Sequence, residues 1–270
     1  MAALWRTRNG RGGMILFGVV VLAALVLPFF LPDYRVQQFP RSEAPTWAHL
    51  FGTDELGRDI LSRVAQGARI SLMVATGAVL VAATIGAGVG MAAGFAGGWI
   101  DALLMRLVDA AMAIPRLFVL LLVLAVLDHI PLPLLMVLLG ATGWFGTSRL
   151  VRAEVLRLRG EGFVAAARAL GAGRRRIIFR HLVPNAAGPL IVAATLSVAD
   201  VLLLEAGLSF LGLGVPIPMP SWGAMIQSGM AFRSTAPWIC LFPGLAIVIT
   251  VLAVNLIGDG LRQSLTPERA

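Results

Sequence analysis

Two kinds of residue in this 270-residue sequence have chemistry to offer: carboxylates set inside long apolar runs, and arginines gathered into one polar stretch. Asp200 lies about 14 residues into an apolar run that opens at Ala186, on the order of 20 Å along a helix at 1.5 Å per residue. A carboxylate at that depth in lipid costs several kcal/mol, so it either lines a passage for polar solutes or meets a polar group on a neighbouring helix. Glu205, nearer the end of the same run, reads as a partner for the glycine-rich segment behind it, and stands with Asp200 as a candidate for the passage lining. Arg106 and Asp109 fall three apart on one helix face and read as a structural pair. The polar stretch, Arg149 to Asn185, holds nine of the 22 basic residues. Its run VAAARALGAG strips bulk from a helix surface just before a glycine break at Gly171, a shape that suits a partner's groove. A basic helix resting on anionic lipid accounts for the arginines but not for the alanines, so docking is the preferred reading.

Patterns for catalysis are missing. A phosphate-binding loop needs a lysine, and the chain has none. His49, His129 and His181 lack metal-ligand spacing to one another or to Cys240. Neither G-x-S-x-G nor H-E-x-x-H occurs. GAGVGMAAG, at 86–94, lacks the G-x-G-x-x-G spacing of a nucleotide fold and suits close approach of membrane helices instead. The expectation is a non-enzyme that binds no cofactor or metal. Its single cysteine allows no internal disulfide.

Apolar residues make up 58% of the chain and charged residues 13%, against roughly 25% charged in soluble domains. Hydropathy predicts six membrane spans, near 14–31, 70–95, 102–127, 132–148, 186–205 and 238–258. The first is too long for a signal-peptide core and no small-x-small site follows it, so it reads as an uncleaved anchor. Pro115 is expected to kink the third span, with Arg116 snorkelling or facing the interior. FGTDELGRDILSRV, around Arg58 and Asp59, reads as a compact outer cap leading into the second span. Residues 128–131 form a tight turn, Pro184 ends the basic helix, and 207–237 is too apolar for an ordinary exposed loop. Six spans place both termini on one side. That side, with 96–106 and 149–185, holds fifteen arginines and five acids; the other holds six of each. Positive loops stay inside, so the termini and the basic stretch are cytoplasmic. The basic balance reflects topology, not nucleic-acid binding.

Ala165, Ala166, Ala167, Gly171, His181, Val183 and Pro184 fall on a pattern, E-A-A-x-x-x-G, nine residues, then I-x-L-P. The chain thereby resembles the membrane-spanning permease subunits of ABC importers, whose cytoplasmic loop carries that pattern. Ala165 stands where the family has glutamate, His181 where it has isoleucine and Val183 where it has leucine. Glu161, one turn earlier, is a candidate substitute for the glutamate, and Gly162–Pro184 becomes the active part of the loop. The stretches 51–72, 205–226 and 255–265 are similar to the dipeptide, oligopeptide and nickel branch, specifically to the second of its two permease subunits. The resemblance implies an all-α membrane protein with the type I ABC importer fold, six transmembrane helices and cytoplasmic termini, multi-pass in the bacterial inner membrane. It divides the chain into a tail 1–13, a first helix 14–31, an extracytoplasmic segment 32–69, a permease core 70–258 and a tail 259–270. The core contains the coupling loop 149–185 and the extracytoplasmic connection 207–237. Implied partners are a homologous permease subunit in a heterodimer, two ATPase subunits or domains that use ATP and Mg, and an extracytoplasmic binding protein, all in membrane lipid without nucleic acid. Peptides and nickel share this branch, and the lack of a His/Cys/Asp cluster favours peptides. Two rival classes remain at this stage. Asp200 motivates an ion-coupled secondary transporter, weakened by the lack of an inverted repeat, and the docking stretch motivates a recruiting scaffold.

Overall fold

The computed structural model describes residues 5, 7–127, 130–216 and 218–265. Asp128 and His129, in the expected turn, and residues 266–270 of the tail lie outside the described residues. Among the described residues eleven α-helices follow in order: α1 (Arg8–Phe30), α2 (Ile60–Ala96), α3 (Gly98–Met112), α4 (Arg116–Val126), α5 (Leu132–Ala141), α6 (Phe145–Arg159), α7 (Gly162–Ala169), α8 (Arg174–Ile177), α9 (Val183–Phe210), α10 (Trp222–Gly229) and α11 (Trp238–Leu265). Among the described residues the one extended pairing is an isolated bridge from Thr53 to Asp59.

Among the described residues four helices are long and apolar enough to cross a membrane: α1, α2, the 37-residue rod Arg174–Phe210, and α11. Two further pairs are bent, α3 with α4 by 75° and α5 with α6 by 50°, giving six crossings when each pair counts as one. The first bend falls at Pro115, which has no N–H to give and holds its predecessor out of helical geometry. The expected kink is thus a full break. At the second bend, Thr142 turns its hydroxyl back onto the carbonyls of Leu138 (3.0 Å) and Leu139 (3.2 Å), and Gly143 follows. Such back-bonding by threonine competes with the ladder and bends it.

The helices overrun the apolar runs that announce them. α2 begins at Ile60, capped by Asp59, whose side chain accepts from the Ser62 N–H. α6 continues to Arg159, so the helix of the fourth span runs on into the basic stretch. Hydropathy marks the lipid-facing portion only, while backbone hydrogen bonds propagate until a cap or a break. Pro184 is not a stop, contrary to expectation. It sits in the first turn of α9, where no donor is lost, and a π-helical turn over Ile178–Leu182 joins α8 to α9. That turn takes the Val183 N–H to the Ile178 carbonyl, one residue further back than in an α-helix. The connection 207–237 holds α10, whose Trp222 is buried and donates from Nε1 to the Val64 carbonyl at 3.0 Å.

α1 and α11 run antiparallel and very close. A Cβ on Gly13 would lie 2.7 Å from the Ile257 nitrogen, and Gly260 abuts Gly10, so both ends of the described chain meet at one end of the bundle. Pro28 leaves the Ala24 carbonyl without its helical donor. Arg69 of α2 supplies one from Nε at 2.6 Å and also reaches the Leu25 carbonyl at 2.7 Å. The stripe Gly86, Gly90 and Gly94 seats α6; a Cβ on Gly90 would stand 2.4 Å from the Ser148 carbonyl oxygen. At the opposite end Asp54, 0% exposed, ties the cap together. It accepts from the N–H groups of Leu56 and Arg58, from Arg58 Nε at 2.6 Å and from Arg63 Nη1 at 2.5 Å. His49 Nδ1 lies 2.9 Å from the Asp59 carboxylate, and Trp238 donates to the Thr53 carbonyl at 3.2 Å, pinning the start of α11 to that of α2.

Gly90→Val is expected to abolish recovery of folded protein in size-exclusion profiles, since its clash is with backbone; Gly88→Val, with nothing within 4 Å, is expected to leave the profile unchanged. Asp54→Ala strands a buried arginine and is expected to destabilise the fold by about 3–5 kcal/mol, read as a lowered thermal midpoint in detergent. Adding Arg63→Met is expected to recover part of that loss.

Candidate coupling segment and transmembrane cavity

The basic stretch folds back on itself in three helical pieces. α6 ends at Gly160, Glu161 occupies the N-cap position of the eight-residue α7, and Gly171 closes α7 at φ +78°. The Gly171 N–H bonds the Arg168 carbonyl (2.9 Å) and the Ala172 N–H bonds the Ala167 carbonyl (3.0 Å). These are the two bonds of a Schellman cap, which needs a left-handed residue at Gly171. A side chain there would meet nothing within 4 Å, so the demand for glycine is conformational alone.

One side of α7 is anchored. Val164 is fully buried with Val151, Val155 and Leu158 of α6, Ile177 of α8, Leu182 of the π turn and Ala186 of α9. The other side is open. Gly162, Ala165, Ala166 and Ala169 are exposed, Ala167 is half-buried, and Leu170 is 88% exposed at the tip. The short helix and the glycine come together as one outward-facing feature. His181 and Pro184 do not join that face; they sit in the π turn and the first turn of α9, with the His181 ring 6.2 Å from that of Phe163. Glu161 is engaged by Arg157 Nη1 at 2.8 Å, and Arg157 also grips Glu154. Arg168, Arg174, Arg175, Arg176 and Arg180 are exposed around this feature.

Arginines also fix the segment to the bundle. Arg159 Nη1 caps α2 through the Gly94 carbonyl at 2.7 Å. Arg152 makes a two-pronged contact with Asp101 of α3, at 2.5 and 2.6 Å. Arg149 pairs with Asp109. The expected Arg106–Asp109 pair is therefore corrected: the carboxylate is taken across the helix interface by an arginine of α6, and Arg106 points to the exposed side of α3.

Inside the bundle the two intramembrane carboxylates part company. Glu205 is 1% exposed and lies in a knot of hydroxyls. Its oxygens accept from Ser71 of α2 (3.1 Å) and Ser209 (2.6 Å); Ser221 reaches Ser209 at 3.1 Å, and the Trp222 N–H points to Ser71 at 3.4 Å. Glu205 is buried as a fastener between α2, α9 and the following connection. Asp200 is exposed and lines a cavity of about 380 Å³ between α2, α6 and α9. Arg116 lines the same cavity, at the start of α4 just past the break. It is held by the Leu139 carbonyl (2.5 Å) and the Thr142 hydroxyl (3.2 Å). Nothing in the spacing of the two residues places Arg116 beside Asp200. An arginine directly after a proline inside an apolar run was the available signal, because a break frees both space and carbonyls for a charged side chain.

Residues 84–269 match the family described as the binding-protein-dependent transport system inner membrane component. The chain is 39% identical to the oligopeptide transport system permease protein OppC of Bacillus subtilis, over 95% of this chain and 84% of that one. It is 40% identical to the dipeptide transport system permease protein DppC of Alkalihalophilus pseudofirmus, with the same coverage of 95% and 84%. The Haemophilus influenzae oligopeptide transport system permease protein OppC is 37% identical, over 98% and 86%. With its helical membrane spans, the chain belongs to the inner-membrane permease components of binding-protein-dependent ABC importers, and carries their type I fold.

Proposed function

We propose that the chain forms half of the translocation pathway of an ATP-driven peptide importer and takes its power stroke through α7. The relatives named as oligopeptide and dipeptide permeases support peptides over nickel. In this reading a homologous permease subunit supplies the other half of the pathway, an extracytoplasmic binding protein delivers the peptide, and two ATPase subunits or domains bind ATP and Mg. The lack of any lysine for a phosphate loop supports assigning hydrolysis to those partners.

The burial of Val164 carries this reading. It packs α7 against residues of α6, α8 and α9, with Met91 and Phe95 of α2 alongside. A push on α7 is then delivered to three spanning elements at once, because packed side chains move as a body. The exposed alanines leave a smooth, low-bulk surface for a groove on an ATPase, and the surrounding arginines suit an acidic rim there. Closure of the ATPases on ATP would rock the spans between outward-open and inward-open arrangements.

Gly171→Pro, which forbids the left-handed cap, and Ala166→Arg, which puts bulk on the open face, are expected to uncouple the complete importer. Peptide uptake into proteoliposomes falls at least tenfold, while ATP hydrolysis no longer rises with loaded binding protein. Assembled variants that import at the wild-type rate sink the assignment of α7. Ion-gradient-driven uptake by this chain alone, without ATP, sinks the ABC reading itself.

A further inference from the structure

Arg116 and Asp200 bring opposite charges into one cavity without closing on each other. Asp200 feels the field of Arg116, yet no ion pair joins them, and among the described residues Asp200 has no hydrogen-bond or ion-pair partner. Arg116 is differently placed. Its Nε and Nη2 rest on the Thr142 hydroxyl and the Leu139 carbonyl, and a Cβ on Gly143 would press on Nη2 at 2.8 Å. The guanidinium is thereby fixed in position with three of its five N–H donors uncommitted. A fixed cation and an unpartnered carboxylate, each costly in an apolar span, are complementary to a molecule that carries both charges itself.

We propose that this cavity is a binding site for a short zwitterion in transit, Asp200 receiving the α-ammonium of a peptide and Arg116 its carboxylate. The proposal rests on the peptide-importer reading and names the residues that hold the cargo. A lone cation would meet Arg116 as well as Asp200, and a lone anion the reverse, so a solute of net zero charge with separated ends is favoured over either. The remaining lining is mostly small, with glycine or alanine at 82, 143, 146 and 193, valine at 79 and 201, and the hydroxyls of Ser197 and Thr147; Leu150 is the one larger apolar side chain. Small apolar walls do not read side chains, so recognition is directed to the peptide ends. At about 380 Å³ the cavity falls within the ~300–1,000 Å³ usual for small-molecule sites.

The test uses the complete importer with its binding protein in proteoliposomes, with dialanine as cargo. Asp200→Asn and Arg116→Gln are expected to lower dialanine delivered per ATP hydrolysed at least tenfold. Asp200→Glu, which keeps the carboxylate, is expected to keep most of the uptake. A second reading places a thiol on the cavity wall with Ser197→Cys in a Cys240→Ser background. Dialanine during turnover is expected to slow its labelling by a small maleimide severalfold, and that protection is expected to vanish when Asp200→Asn is added. Wild-type delivery by Asp200→Asn, or labelling that dialanine leaves unchanged, overturns the proposal. So does loss of assembly in Asp200→Glu together with Asp200→Asn, which marks a structural contact. A wild-type importer that hydrolyses ATP and carries another solute but not dialanine overturns the peptide reading beneath it, and does so before any variant is made.

Discussion

Backbone contact between α2 and α6 is the constraint from which the cytoplasmic end follows. With no hydrophobic drive between helices in lipid, association rests on close packing. Gly86, Gly90 and Gly94 let the backbone of α6 approach to distances that a single methyl group would forbid. Once α6 is seated there, Val151 and Val155 are fixed in space, and Val164 has a floor to rest on. Arg152 and Arg159 then find Asp101 and the end of α2 without searching. A glycine stripe that looks like a nucleotide loop in isolation is thus the footing of the candidate coupling segment.

Three charged groups in the bundle share a pattern: each is answered by backbone freed at an irregularity or by small hydroxyls nearby. Arg69 serves the carbonyl that Pro28 abandons, Arg116 serves one at the end of α5, and Glu205 is answered by serines from α2 and α9. Orphaned polar atoms are costly in a membrane, so bends and charges occur together. Asp200, which lines the cavity without a hydrogen-bond or ion-pair partner among the described residues, departs from that pattern.

The number and order of the spans were legible because each lipid-facing run has to be apolar, whatever its neighbours. The helix ends were not, since Asp59, Gly160 and the extension of α11 lie beyond the apolar runs, where hydropathy is silent. The break at Pro115 was legible from a residue that cannot do otherwise; the bend at Thr142 depends on which way one hydroxyl turns. The short helix and its glycine were visible as composition, and the left-handed cap follows from it. The partners of Asp109, Asp54 and Arg63 were hidden, because they are chosen by chain segments that meet only after folding. Glu205 and Asp200, five residues apart and chemically alike, differ in the sequence by depth alone; the serine of α2 that answers Glu205 comes from a segment 134 residues away.

The π turn at Ile178–Leu182 has a consequence for azimuth. One residue more than an α-helical turn rotates everything before it by about 100° relative to everything after it. The direction in which Arg174–Arg176 face is therefore not set by the face of α9 that carries Asp200, although both lie on one 37-residue rod. A plain α-helix of the same sequence would aim those arginines into another quadrant, with α7 swung round beside them. The irregular turn acts as a phase plate, letting the cytoplasmic surface and the cavity wall each keep the orientation their own chemistry requires.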